Sequence, residues 1–95
     1  MAGFVYIVCN RRHGTLYIGV TNNLVRRIYE HKLGTGSTFT ARHGANRLIY
    51  FETFETMPLA IAREKRLKAW KRDWKIRLIE TANPHWTDLY NGLSG

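Results

Sequence analysis

Cysteine is almost missing from this chain, and its scarcity removes several options. Cys9 stands alone, so no intrachain disulfide can form, and no Cys/His cluster has the spacing of a zinc site. Cys9 lies within an apolar strand pattern and reads as a packed small residue, not a reactive thiol. Long apolar runs are missing as well: no stretch could span a bilayer, and no basic-apolar-small leader opens the chain. The expected setting is a reducing cytoplasm, away from membrane. Acidic residues are scarce, with 7 Asp+Glu facing 15 Lys+Arg for a formal net charge of +8. That imbalance points to a polyanion as partner. Repeats, low-complexity stretches and breaks in composition are absent, so residues 1–95 read as a single domain. At 44% hydrophobic, the chain can build one core but not two.

The stretch Leu16 to Leu33 organises the rest. Leu16–Val20 alternates as a strand, with Leu16, Ile18 and Val20 on one face and Tyr17 and Gly19 on the other. Thr21-Asn22-Asn23 offers helix-capping oxygens. In the helix that follows, Leu24, Val25, Ile28 and Tyr29 read as one apolar face. Arg27 and His31 lie one turn apart and project together, forming a candidate anion site with the preceding tyrosine and glycine. Before this stretch, Phe4–Asn10 reads as a strand with faces Phe4, Tyr6, Val8 and Val5, Ile7, Cys9. Arg11-Arg12-His13-Gly14 is short enough for a hairpin loop, so the two strands should pair antiparallel with Tyr6 and Tyr17 on one face. Two readings of that pair stand: ordinary strand aromatics packed under a helix, or members of a site.

Gly34–Ala45 is rich in Gly, Ser and Thr and reads as a loop carrying Arg42 and His43, with Phe39 as its anchor to the core. Arg47–Phe54 gives a third strand. Thr56-Met57-Pro58 starts a helix to about Trp70, with Ala60, Leu67 and Trp70 as its stripe and Ile61 beside it. Glu64 falls on that stripe, where an unpaired buried charge is costly. It is either an i,i+4 partner of Lys68 or a cation ligand. A further helix through Trp74, Ile76, Leu78 and Ile79 ends before Asn83-Pro84, since a residue preceding proline avoids the helical region. Trp86, Leu89 and Tyr90 can pack back from the tail, and the three tryptophans read as core rather than as stacking platforms. Arg63, Lys65, Arg66, Lys68, Lys71, Arg72, Lys75 and Arg77 form the densest basic run, a candidate surface for phosphate backbone.

Val5-Tyr6-Ile7 and Leu16-Tyr17-Ile18-Gly19, followed by Thr21, Asn23-Leu24, Arg27 and His31, resemble the GIY-YIG nuclease family. The likeness continues through Leu48-Ile49-Tyr50-Phe51-Glu52, Ala62-Arg63-Glu64-Lys65 and Asn83-Pro84, and so covers nearly the whole chain. It is strongest to small single-domain members, related to the nuclease module of the nucleotide-excision-repair C subunit. The first motif departs from the family pattern: Phe4-Val5 stands where the family has Gly-Ile, and the tyrosine is kept. The resemblance implies an α+β fold, a three-stranded antiparallel sheet flanked by helices. It also implies phosphodiester hydrolysis, DNA ahead of RNA, with Mg²⁺ or Mn²⁺. By motif position, Tyr6 and Tyr17 would be the paired tyrosines, Arg27 the phosphate arginine and His31 the helix histidine. Glu64 would be the metal-binding carboxylate and Asn83 the late asparagine of the catalytic set.

In that reading Arg42, Lys68, Lys71 and Arg72 are the candidate nucleic-acid contacts, and a protein partner supplies substrate targeting. Two other classes share the charge. One is a non-catalytic nucleic-acid-binding module with the same fold, and the other is a cationic interaction protein. Metal-dependent cleavage separates the first from a nuclease, and loss of nucleic-acid binding at moderate salt singles out the second.

Overall fold

The computed structural model describes residues 2–93. In chain order the elements are β1 (Gly3–Cys9), β2 (Leu16–Thr21), α1 (Leu24–Lys32), α2 (Thr38–His43), β3 (Arg47–Phe54), α3 (Met57–Ala69) and α4 (Arg72–Ala82), then a short 3₁₀ turn at Tyr90–Gly92. The three strands form one antiparallel sheet in the order β2-β1-β3, so the first strand is central. The fold is α+β, as the resemblance implied.

The hairpin closes as its sequence dictates. Phe4 pairs with Thr21 and Cys9 with Leu16. The loop is tied by Gly14 N–H to Arg11 O at 2.9 Å and Thr15 N–H to Asn10 Oδ1 at 2.9 Å. On the other side β3 runs antiparallel to β1 with one irregularity. Ile7 faces Tyr50 and Val8 faces Leu48, which leaves Ile49 as an extra residue, a β-bulge.

Alternation along β1 splits the core into two clusters on opposite faces of the sheet. Val5, Ile7 and Cys9 join Ile18, Ile49, Ala60, Leu67, Ile79 and Trp86 under α3 and α4. Tyr6 and Val8 join Leu24, Ile28, Ala45 and Leu48 under α1. One sheet thus serves two apolar layers, although composition promised a single core. Cys9 is fully buried in the first, and burial pushes its thiol up to about 11, as expected of a packed residue.

Helix boundaries follow local chemistry. Asn23 accepts from the Arg26 N–H at 3.1 Å and caps α1. Thr56 accepts from the Leu59 N–H at 3.5 Å and caps α3, with Pro58 in the first turn. Two expectations are corrected. The buried stripe of α1 is Leu24, Ile28 and His31, while Val25 and Tyr29 face outward. The Gly34–Ala45 segment is not all loop: it holds α2, capped by Ser37 and ended by Gly44 at φ 63°. Glycine suits that left-handed position because it has no Cβ to clash.

Candidate active site

Tyr6 projects from the central strand toward α1, and its ring lies across its cross-strand partner Gly19. A Cβ at Gly19 would come within 2.3 Å of the Tyr6 hydroxyl, so only glycine lets the phenol reach over the edge strand. There the hydroxyl meets His31 Nε2 at 2.8 Å and accepts the Arg27 Nε–H at 3.3 Å. The i,i+4 spacing of Arg27 and His31 on α1 brings both to one phenol. On the far side of the imidazole, Nδ1 lies 3.0 Å from Thr40 Oγ1, and Thr40 in turn donates to the Ser37 carbonyl at 3.2 Å. Gly36 wraps so closely that a Cβ there would fall 2.3 Å from His31 Nδ1. Tyr17 completes the group from β2, with its ring 6.4 Å from Tyr6, 5.7 Å from His31 and 5.8 Å from Phe39.

Burial dominates the electrostatics. It raises the Tyr6 phenol above its ordinary value, and Arg27 only partly opposes it. His31 is 3% exposed; burial, helped by the Arg27 charge, lowers its pKa to about 4, so the ring is neutral near pH 7. Donor counting then assigns the protons. Arg27 donates to Tyr6 Oη, the Tyr6 O–H donates to His31 Nε2, and the Nδ1–H donates to Thr40. The chain is directed from the guanidinium inward to α2. Arg27 also donates to Glu30 at 3.2 Å and borders an open groove of about 720 Å³ with Thr21, Asn23, Arg26 and Met57.

Glu64 arrives differently. α3 lies across β1 and β2 on the opposite face of the sheet from α1. The Glu64 side chain is 14% exposed and pairs with Lys68 at 3.1 Å. Its carboxylate is still near enough for its charge to push the Tyr6 phenol upward. Tyr6, Tyr17, Arg27 and His31 are therefore joined by direct contact, whereas Glu64, among the described residues, makes no hydrogen bond or ion pair to any of them. Among the described residues no group of three or more His, Cys, Asp or Glu is arranged to hold a metal. A lone carboxylate suits Mg²⁺ or Mn²⁺ only alongside water and substrate oxygens, which such hard cations accept.

Asn83, expected in the catalytic set, makes its bonds elsewhere in the fold. Its Nδ2 donates to the carbonyls of Ile49 at 3.0 Å and Thr87 at 2.9 Å, and its Oδ1 accepts the Thr87 N–H. Ile49 is the bulge residue, so Asn83 satisfies a carbonyl that the ladder leaves over. Arg72 is likewise structural in large part, donating to the carbonyls of His13 and Gly14 at 2.8 and 2.6 Å. Lys71 and Arg42 are exposed, the latter on α2 beside Ser37. Thr40 and Ser37 escaped the sequence reading because short hydroxyl residues in a Gly-rich stretch look like loop. Phe39 anchors its segment on Tyr17 and His43 rather than in the core.

The sequence pattern of the GIY-YIG catalytic domain matches residues 2–77. A UPF0213 protein of Clostridium perfringens is 40% identical over 78 residues, covering 82% of this chain and 83% of its own length. One from Haloquadratum walsbyi is 37% identical over 78 residues, covering 81% and 85%. The solution NMR structure of a UPF0213 protein from Bacillus halodurans superposes with a TM-score of 0.59 at 29% identity, covering 99% of this chain and 98% of that one.

Proposed function

The chain belongs to the GIY-YIG family, a nuclease-type family, and from that premise we propose that it is a divalent-metal-dependent endonuclease hydrolysing phosphodiester bonds, in DNA ahead of RNA. The observation that carries this reading is the Arg27–Tyr6–His31 hydrogen-bond chain beside Tyr17. A phosphate needs a fixed cation, and Arg27 offers a guanidinium held by Tyr6 and Glu30. Tyr6 remains protonated through burial, so it positions Arg27 and His31 rather than serving as the base. Tyr17 is left to face the attacking water, and a phenol in that role needs nearby positive charge. Arg27 supplies part of it. Glu64 is the residue to hold Mg²⁺ or Mn²⁺, which when bound adds charge neutralisation at the phosphate. Its pairing with Lys68 means that metal affinity without nucleic acid should be weak. The net charge of +8 supports a nucleic-acid partner, and a protein partner for targeting remains part of the proposal.

The test is Mg²⁺-dependent cleavage of single-stranded, nicked, branched and duplex DNA, with RNA counterparts, by wild type, Glu64→Gln and Glu64→Ala. Both variants should lose cleavage by orders of magnitude while melting temperature and nucleic-acid binding persist. Full activity of Glu64→Gln would remove Glu64 from the mechanism. Binding without cleavage of any substrate by wild type would make the chain a nucleic-acid-binding module with a nuclease fold.

A further inference from the structure

The three tryptophans were expected in the core, and only Trp86 is fully buried there. Trp70 is partly buried and firmly held. The Arg63 guanidinium lies over its ring at 5.2 Å, and Arg63 is fixed by Glu52 through bonds of 2.9 and 3.0 Å. Trp74 is 55% exposed. It meets Trp70 edge-on, with centroids 5.9 Å apart and planes 79° apart. The two indoles make a right-angled apolar corner, and Arg77, Leu78 and Thr81 close it into a cleft of about 310 Å³. That lies within the size range of small-ligand clefts.

The surroundings indicate what fits. Lys71, the residue that caps α4, and Arg77 lie three residues before and after Trp74 and so flank it on either side, and both are exposed. Among the described residues neither makes an ion pair, and the cleft lining holds no carboxylate. A second copy of the chain would bring another +8 against this surface. A flat, apolar ring carried on an anionic backbone matches both the indoles and the cations. We propose that the Trp70–Trp74 corner stacks an unpaired nucleobase of single-stranded nucleic acid, with Lys71 and Arg77 on its flanking phosphates. Bases inside a duplex keep their faces covered, so this contact distinguishes single strands. It lies on the layer opposite the Arg27 groove. The inference shares the nucleic-acid partner of the nuclease reading but does not depend on turnover.

The experiment measures binding of end-labelled oligothymidylate and of a duplex to the full chain, without divalent metal, by anisotropy and by quenching of tryptophan fluorescence. Oligothymidylate should quench wild-type fluorescence. Trp74→Ala should lose roughly tenfold in single-strand affinity with little change for duplex, and Trp74→Phe should keep most of it. Lys71→Ala and Arg77→Ala should each lower the slope of log affinity against log salt by about one. Trp74 is exposed, so these variants should fold as wild type does. Unchanged single-strand affinity in Trp74→Ala, or a concentration-dependent dimer that only this variant loses, would overturn the proposal. Because no metal is present, failure of cleavage leaves this result standing, and the reverse also holds.

Discussion

The layer of α1 and α2 and the layer of α3 and α4 cover the same three strands with different material. Under α3 and α4 the buried side chains are apolar except for Asn83 at the end of α4: Val5, Ile7, Cys9, Ile18, Ile49, Ala60, Leu67, Ile79 and Trp86. Under α1 and α2 it includes a phenol, an imidazole and a threonine hydroxyl, each bonded to the next. No buried side-chain polar atom among the described residues lacks a partner. An apolar layer tolerates small losses locally. A buried polar chain behaves as a unit, since removing one member leaves another desolvated and unpaired. The first layer supplies stability by area, and the second holds an arginine and two tyrosines in fixed geometry.

Breaking the apolar layer should have the largest effect on stability. Leu67 is fully buried, and Leu67→Ala should cost about 2–5 kcal/mol in urea denaturation. Cleavage per folded molecule should hardly change. A comparable loss of cleavage in fully folded protein would show that the layers are not separate in function.

Acid should act on the other layer. His31 titrates at 6.5 when unfolded and at about 4 when folded, so between those values the unfolded chain binds a proton that the folded chain refuses. The stability due to a neutral imidazole is complete above about pH 6.5 and is lost as pH falls toward 4, on the order of 3 kcal/mol in all. His31→Gln should flatten that part of the stability curve relative to wild type. Parallel curves across the window would mean that His31 is not the titrating group.

The smallest of the three effects separates geometry from mere packing within the polar layer. Thr40→Val keeps the shape and removes the acceptor for His31 Nδ1–H, at a cost of about 1–3 kcal/mol. Cleavage should fall with it, and Thr40→Ser should restore both. Equal behaviour of Val and Ser variants would reduce Thr40 to filler.

Strands were legible because alternation is a strict period: the two faces of Phe4–Asn10 separate into the two clusters residue by residue. The tyrosine pair and the Arg27–His31 line followed from the same local rules. What failed depended on distant partners. His31 displaces Val25 and Tyr29 from the buried face only because Tyr6, on another element, receives it. α2 has six residues, too few to display a period. The bonds that Asn83 makes were not legible either, since the bulge at Ile49 that it serves arises only when β3 pairs with β1. Trp74 carried no sign of exposure, because hydropathy does not tell which side of a helix finds a neighbour.

The segment after α4 bears on self-association. Sheet order leaves β3 at one edge, and an edge strand is a template for other chains. Here Leu48 gives its carbonyl to the Leu89 N–H at 2.7 Å and its N–H to Asp88 Oδ1 at 3.3 Å. Arg47 reaches the Trp86 carbonyl at 3.3 Å, and Asp88 is held by Lys32 of α1 at 2.6 Å. The chain's own tail occupies the start of that edge and is riveted to a helix. It acts as a selvedge at that end, blocking strand-by-strand growth from the first residues of β3.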